Sequence, residues 1–163
     1  ALAEADVLVT IGGVSIGRYD LVRPALEELG AQIDFWKIRI KPGKPLVYGT
    51  RGATRILGLP GNPVSALLTF SLFGLPLLRA LQGERETKPR FESARLLGRL
   101  RQRPGRTGFY RARWSPEGVT PLDNQASGNV ASLAHADALI RVPAESDGHE
   151  PGEEVQVLRL SLS

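Results

Sequence analysis

A short apolar run, Asp6 to Ile11, most constrains what this chain can fold into. Its residues are β-favouring and largely apolar, without the regular polar alternation of a half-exposed strand, and Gly12-Gly13 end it. Such a run is typical of a strand buried on both faces, as in parallel sheets. A helical pattern from Asp20 to Leu29, ended by Gly30, follows it. This strand–helix order predicts an α/β sheet covered by helices.

Three further segments continue the pattern. Ile33 to Ile40 alternates as a strand, and Leu46 to Thr50 with Arg55 to Leu59 are typical of a hairpin around Arg51-Gly52. The helix predicted from about Pro63 to Leu81 is apolar, but polar residues, glycine and proline interrupt it, which favours a packed helix over a membrane span. We therefore predict a largely parallel sheet in this half.

The character of the chain changes at the charged segment Gly83 to Arg90. We place the domain boundary here, with residues 1–84 in the α/β domain and 85–163 in a second domain. Short strands separated by turn sequences predict a small β-barrel or sandwich. These strands are predicted at about Phe91 to Arg101, Gly108 to Trp114, Val119 to Leu122, Ala138 to Val142 and Glu154 to Leu162.

Composition limits the classes of function. The chain has no cysteine, which excludes disulfides, thiolate metal sites and cysteine nucleophiles. Its 21 Lys and Arg against 17 Asp and Glu give a mild excess of +4, which suits a small anion as well as nucleic acid. No export signal is visible, so we expect a cytoplasmic protein. The opening residues are typical of the end of a helix, and we expect the chain to be a fragment.

A glycine-rich loop, Gly12 to Asp20, separates the first predicted strand from its helix. Glycines let the backbone approach a ligand closely, and a helix N-terminus offers unpaired N–H groups. The loop therefore suits an anion at the carboxyl edge of the sheet. A simple turn with Asp20 as N-cap explains the same residues without a ligand.

The second loop, Lys41 to Pro45, holds two lysines between prolines and a glycine. A rigid backbone reduces the entropy lost when the two lysines hold an anion. Lys37, unusual inside an apolar strand, adds a third cation. The alternative is a solvated basic turn.

The third loop, Gly58 to Ser65, ends a strand and begins the long helix. Asn62 is a natural N-cap, and Pro63 suits the first helical position. Ser65 and the free N–H groups of this turn can hold an oxyanion, although a cap alone needs no ligand. Because all three loops follow strands of one sheet, we expect them to converge on one anionic pocket.

The sequence gives little support for other kinds of functional site. The sequence contains neither a Walker A motif nor a Gly-x-Gly-x-x-Gly dinucleotide motif. His135 and His149 lack partners at metal-binding spacing and are expected at the surface. Trp36 and Trp114 are expected in the core.

In order, the motifs Gly12 to Gly17, Lys41 to Pro45 and Gly58 to Ser65 closely resemble the signature of the MoeA/gephyrin E-domain family of molybdenum insertases. The resemblance implies an incomplete, mostly parallel three-layer molybdopterin-binding α/β domain followed by a small β-barrel domain. The implied reaction joins molybdate to adenylylated molybdopterin with Mg²⁺ and releases AMP. Implied partners are the pterin substrate, molybdate and, in full-length members, a second copy as a homodimer, with no nucleic acid and no membrane.

The resemblance also implies residue roles. Asp20, Lys37 and Lys41 are the implied catalytic residues, and Asp20 is the implied Mg²⁺ ligand. The implied substrate-binding residues are Gly12, Gly13, Ser15, Gly17, Lys44, Pro45, Pro60, Gly61, Asn62, Ser65, Arg106 and Ser127. The family's acidic Thr-Gly-Asp-Glu segment and N-terminal domains are missing from this sequence. We therefore expect these 163 residues alone to be inactive, with an unpaired strand edge near Asp6 to Ile11 that promotes association.

Three other functions compete with this one. The first is a pterin- or nucleotide-binding module without insertase activity, or a scaffold that holds a partner protein. A scaffold needs an exposed groove for its partner, and nothing in the β-rich tail indicates one. Hydrolases related to competence-damage proteins share the α/β domain but lack the Lys-Pro-Gly-Lys-Pro loop and the β-rich tail. A nucleic-acid binder is disfavoured because aromatic residues form only 6% of the chain and are not interleaved with basic ones.

Overall fold

The structure is a computed structural model, which describes residues 4–14, 21–126, 128 and 130–160. Its first elements are β1 (Val7–Ile11), α1 (Val22–Glu28), β2 (Gln32–Trp36), β3 (Ile40–Lys41), β4 (Val47–Arg51), β5 (Thr54–Leu59), α2 (Pro63–Thr69) and α3 (Leu75–Leu81). They are followed by β6 (Glu92–Arg95), β7 (Leu100–Arg101), β8 (Thr107–Ser115), β9 (Gly118–Pro121), β10 (Ala138–Val142), β11 (Gly148–His149) and β12 (Glu154–Arg159).

The chain forms two compact units. The first comprises Ala1–Ile38 and Gly43–Thr87, and the second comprises Arg39–Pro42 and Lys88–Ser163. The short segment with Lys41 therefore belongs with the second half of the chain, although the first half surrounds it in sequence.

The sheet of the first unit has the order β1-β5-β4-β2. β1 and β5 are parallel, whereas β4 is antiparallel to both β5 and β2. The α/β architecture is confirmed, but the expectation of a mostly parallel sheet is corrected for the described strands. The tight turn at Gly52 turns the chain directly from β4 into β5, and residues 37–46 join β2 to β4 without the crossover helix that parallel neighbours need.

Helices cover both faces of this sheet. On one face, Leu26 of α1 packs with Ala31 and Ile56. On the other face, Leu57 clusters with Leu46 and Leu59. This cluster packs against residues of the helical run after Pro63: Ala66, Phe70 and Phe73. Adjacent residues of β5 therefore point to opposite helical layers, which gives the predicted three-layer arrangement.

The expected strand edge is present at β1. Among the described strands, β1 pairs only with β5. Its Val9 and Ile11 are 39% and 69% exposed, so the prediction of a strand buried on both faces is corrected: as an edge strand, β1 is covered less than its neighbour β5. Association through this edge stays a prediction.

The helical run Pro63–Leu81 contains a π-helical segment, Phe70–Gly74. The hydroxyl of Thr69 donates to the Ser65 carbonyl at 2.8 Å, just before this segment. By length and composition the run could cross a membrane, but residues along it pack on the sheet, as a core helix does.

The second unit is a small closed barrel, as predicted. Its main sheet has the order β3-β8-β10-β12-β6, with β9 also paired to β8. Leu96 bridges to Val119, and the Leu97 N–H donates to the Val119 carbonyl at 2.9 Å, which joins the β6 end to β9 and closes the sheet. Apolar side chains, including Ile140 and Val157, fill the interior.

The predicted strand Ile33 to Ile40 is divided between the two units. β2 ends at Trp36, and Lys37 adopts a φ of 84°, in the left-handed region that few non-glycine residues occupy. After this break, β3 pairs in parallel with β8, with Ile40 opposite Thr107 and Lys41 opposite Gly108. Periodicity predicts the strands but not the sheet that each one joins.

Candidate functional site

The first and third loops meet in the first unit, at the carboxyl ends of parallel β1 and β5. The Gly12 N–H donates to the Leu59 carbonyl at 2.9 Å. A Cβ added to Gly61 would lie 3.3 Å from the Cα of Gly12, so the two backbones approach closely. Gly12 and Gly13 have φ values of 86° and 68°, which favour glycine. These glycines place main chain, without side chains, at the sheet edge.

Four predicted site residues, Ser15, Gly17, Asp20 and Ser127, lie outside the described residues. Their roles stay predictions. The described part of the glycine loop ends at Val14, which is buried.

The start of α2 is capped by the protein itself. The Asn62 Oδ1 accepts hydrogen bonds from the N–H groups of Val64 and Ser65, at 3.1 and 3.2 Å. Ser65 is 6% exposed, and Pro60 is also buried. The expectation that these N–H groups are free for an oxyanion is therefore corrected, because the cap already satisfies two of them.

We predict that Asn62→Ala lowers the free energy of unfolding by about 1 kcal/mol, the usual contribution of an N-cap. Asn62→Asp is the matched variant, since a carboxylate keeps the cap but adds negative charge. If an anion binds beside this turn, Asn62→Asp melts as the unmodified protein does but binds molybdate more weakly. Thermal denaturation and calorimetry with molybdate measure both effects. An Asn62→Ala protein with unchanged melting temperature and unchanged molybdate affinity would show that this turn neither stabilises the helix nor contributes to anion binding.

Two predicted cations belong to the first unit. Lys44 is exposed, and its carbonyl accepts the Ile38 N–H at 3.0 Å. Lys37 is partly buried, donates its N–H to the Leu46 carbonyl at 3.0 Å, and places its ammonium 3.8 Å from the centroid of the Trp36 ring. The first unit thus presents both lysines from backbone fixed by hydrogen bonds. Pro45, next to Lys44, is partly buried.

Lys41 lies in the second unit and lines a groove of about 480 Å³. Arg99 and Arg101 line the same groove, and both bind the single carboxylate of Glu150. Two guanidinium groups share one carboxylate, and Lys41 has no described ion-pair partner, so these four groups carry a net positive charge.

The groove wall also contains Tyr110, whose hydroxyl lies 3.3 Å from the Arg101 carbonyl. Burial raises the pKa of the Tyr110 hydroxyl, so the group stays a neutral donor at physiological pH. The Tyr110 hydroxyl therefore adds no negative charge to the groove.

Arg106 is exposed immediately before β8. The next residue, Thr107, pairs with Ile40, so Arg106 lies at the start of the strand that neighbours β3, which contains Lys41. The structure thus groups Gly12, Gly61 and Asn62 in one unit and Lys41 with Arg106 in the other. Convergence of all three loops on a single pocket stays a prediction.

Sequence reasoning missed Arg111. It is 2% exposed, and its Nη2 donates to the carbonyls of Asn124 and Ala126 at 2.9 and 3.1 Å. Gln125 bonds both the N–H and the carbonyl of Arg111, so the 124–126 loop is tied to β8. The sequence feature that could have indicated it is the position of Arg111, a charged residue between Tyr110 and Ala112, which both belong to the barrel core.

The two histidines have no catalytic arrangement among the described residues. His135 is exposed, and the Nδ1 of His149 lies 2.7 Å from the Oε2 of Glu153. In the described part of the chain, no group of three His, Cys, Asp or Glu residues could hold a metal.

Comparison with known proteins agrees with this architecture. Residues 1–80 match a family model described as a probable molybdopterin-binding domain, and residues 93–160 match the MoeA C-terminal region, domain IV. The chain therefore combines an α/β domain of the molybdopterin-binding type with a MoeA-type β domain. The chain belongs to the MoeA/gephyrin E-domain family.

Relatives align with between two thirds and nearly all of the chain. The molybdopterin molybdenumtransferase of Haemophilus influenzae is 46% identical over 112 residues, which are 68% of this chain and 28% of that protein. The protein of the same name from Nostoc is 34% identical, over 99% of this chain and 39% of that protein. This chain thus spans between about a quarter and two fifths of these relatives.

The solved structures include a molybdopterin biosynthesis MoeA protein from Pyrococcus horikoshii. Its TM-score is 0.81 at 31% identity, over 98% of this chain and 38% of that one. A molybdenum cofactor biosynthesis protein from Pyrococcus furiosus has a TM-score of 0.71 at 28% identity, over 86% of this chain and 54% of that one. The fold of the chain is therefore the MoeA fold.

Proposed function

We propose that the protein containing this chain acts in molybdenum cofactor biosynthesis, inserting molybdate into adenylylated molybdopterin with release of AMP. The observation that supports this most directly is the contact of Gly12 with Gly61 at the ends of β1 and β5. Two glycine loops leave bare backbone at this edge, and Lys37 and Lys44 lie in the same unit. Two relatives are named molybdopterin molybdenumtransferase, which supports a role in molybdenum cofactor biosynthesis.

Each unit offers cations to an anionic substrate. The reaction joins a phosphorylated pterin and molybdate, which repel each other in solution. Lysine and arginine side chains offset this repulsion, so the protein acts mainly by positioning and electrostatic stabilisation. In the first unit this role falls to Lys37 and Lys44, and in the second to Lys41 and Arg106.

Mg²⁺ is part of the proposed reaction and would bind to the diphosphate oxygens of the substrate. It takes oxygen ligands, and Asp20 is the carboxylate we expect to hold it. Since Asp20 lies outside the described residues, the described side chains are assigned only substrate binding and charge neutralisation.

We predict that Arg106→Gln weakens molybdate binding at least about tenfold, because a hydrogen bond to a charged group contributes roughly 1.5–3 kcal/mol. Arg103→Gln is the matched control, an exposed arginine three residues earlier in the same connection. Isothermal calorimetry with sodium molybdate gives both affinities. Equal loss in the two variants would indicate a diffuse charge effect and contradict a specific role for Arg106.

The competing function is a binding module or scaffold without insertase activity. A molybdenum-transfer assay on the full-length protein separates the two. Transfer that requires Arg106 supports the insertase. Tight pterin binding with no transfer would identify the binding module instead.

A further inference from the structure

Trp36 connects three segments of the first unit. Its indole N–H donates to the Val14 carbonyl at 2.8 Å, at the end of the described glycine loop. Its ring also contacts the Lys37 ammonium, at 3.8 Å from the ring centroid, and the Arg23 guanidinium of α1, at 4.7 Å. Trp36 is only partly buried, so the expectation of a simple core residue is corrected.

The backbone of Lys37 shows that its position is imposed. A φ of 84° is unfavourable for a residue with a Cβ, and such conformations persist where surrounding contacts determine them. Here the contacts are the N–H bond to the Leu46 carbonyl and the ammonium on the Trp36 ring. An aromatic face attracts a cation and holds a long side chain that would otherwise be mobile.

The charges around the ring favour an anion. Arg23 is paired with Glu27 through a 2.9 Å contact, whereas no described carboxylate lies within ion-pair distance of Lys37. The same indole contacts both the Lys37 ammonium and the Val14 carbonyl in the described part of the glycine loop.

We propose that Trp36 is a positioning residue. It holds the Lys37 ammonium and the Val14 carbonyl, in the described part of the glycine loop, in the arrangement that receives an anionic substrate. This inference rests on the proposed function of the site. Trp36 acts through Lys37 and the loop and is assigned no contact with substrate. Binding of an anion to the Lys37 ammonium changes the charge beside the Trp36 ring.

Fluorescence of the indole can follow this change in charge. The chain has two tryptophans, so Trp114→Phe leaves Trp36 as the only one. Titration of this protein with sodium molybdate, and separately with inorganic pyrophosphate, should change the emission in a saturable manner. Sodium chloride at matched ionic strength should not. Adding Lys37→Met should abolish the saturable change.

Affinity measurements test the positioning role. We expect Trp36→Phe, which keeps a ring but loses the N–H donor, to weaken pyrophosphate binding about threefold, and Trp36→Leu, which loses both, about tenfold. Trp114→Leu is the matched control, since its ring also carries a cation, Arg159 at 4.5 Å, but lies in the other unit. Its affinity should be unchanged.

A double-mutant cycle separates positioning from a general structural effect. If Trp36 acts through Lys37, the losses from Trp36→Phe and Lys37→Met are not additive. Additive losses, or unchanged affinity in both Trp36 variants while Lys44→Ala still weakens binding, would overturn the positioning role alone. Absence of any anion binding by the unmodified protein would overturn the proposed function together with it.

Discussion

Lys41→Ala and Lys44→Ala should each reduce affinity for the anionic substrates by about ten- to a hundredfold without unfolding the protein. A lysine that donates to a charged group contributes roughly 1.5–3 kcal/mol, which corresponds to this range. Both side chains are exposed, so their removal leaves no cavity. Calorimetry with molybdate and with molybdopterin measures the loss, and thermal denaturation checks the fold.

Lys88 supplies the control, because it is an exposed lysine in the charged segment between the two family matches. Lys88→Ala should bind as the unmodified protein does. The double variant Lys41→Ala/Lys44→Ala adds a further test, since the two lysines belong to different units. Strongly non-additive losses indicate that both contact one ligand. Unchanged affinity in both single variants would end the anion-site hypothesis.

Replacement of Arg111 by methionine should destabilise the second unit. The change removes two hydrogen bonds that the charged Arg111 guanidinium donates to the carbonyls of Asn124 and Ala126. One effect opposes this loss: the Arg111 Nε is buried without a partner, and burial lowers the pKa of the guanidinium. A hydrogen bond from a charged donor contributes roughly 1.5–3 kcal/mol, and the opposing effect offsets part of the sum, so we expect a net loss of about 2 kcal/mol.

Arg113→Met is the matched control on the same strand. Arg113 is exposed, and its single described bond, to the His135 carbonyl, is long at 3.3 Å. Its loss should change stability by less than about 0.5 kcal/mol. Urea denaturation compares the two variants, and hydrogen exchange at residues 124–126 shows whether the loop opens. A stable Arg111→Met protein with a protected loop would show that the arginine is not the anchor.

The elements carried by local signals could be predicted from the sequence. The apolar run that forms β1 and the turn at Gly52 each specify their structure within a few residues. Asn62 and Pro63 likewise mark the start of α2, and the structure shows the cap. The three loop motifs, in their order along the chain, were sufficient to predict the family, because they combine three independent local patterns.

Features that depend on distant contacts could not be predicted. Alternation in Ile33 to Ile40 indicates strand, but the left-handed turn at Lys37 and the pairing of Ile40 with Thr107 depend on residues far along the chain. Burial of Arg111 depends on the 124–126 loop that folds over β8. A charge in a strand pattern normally indicates solvent exposure, and only the fold reverses that expectation.

The placement of β3 affects how the protein can be divided or recombined. The barrel takes one strand from residues 39–42, inside the sequence of the α/β unit, so it is not a contiguous cassette. A gene fragment encoding residues 88–163 would leave β8 without its partner at Thr107 and Gly108. Exchange of this barrel between relatives therefore requires that residues 39–42, which include Lys41, be transferred with it.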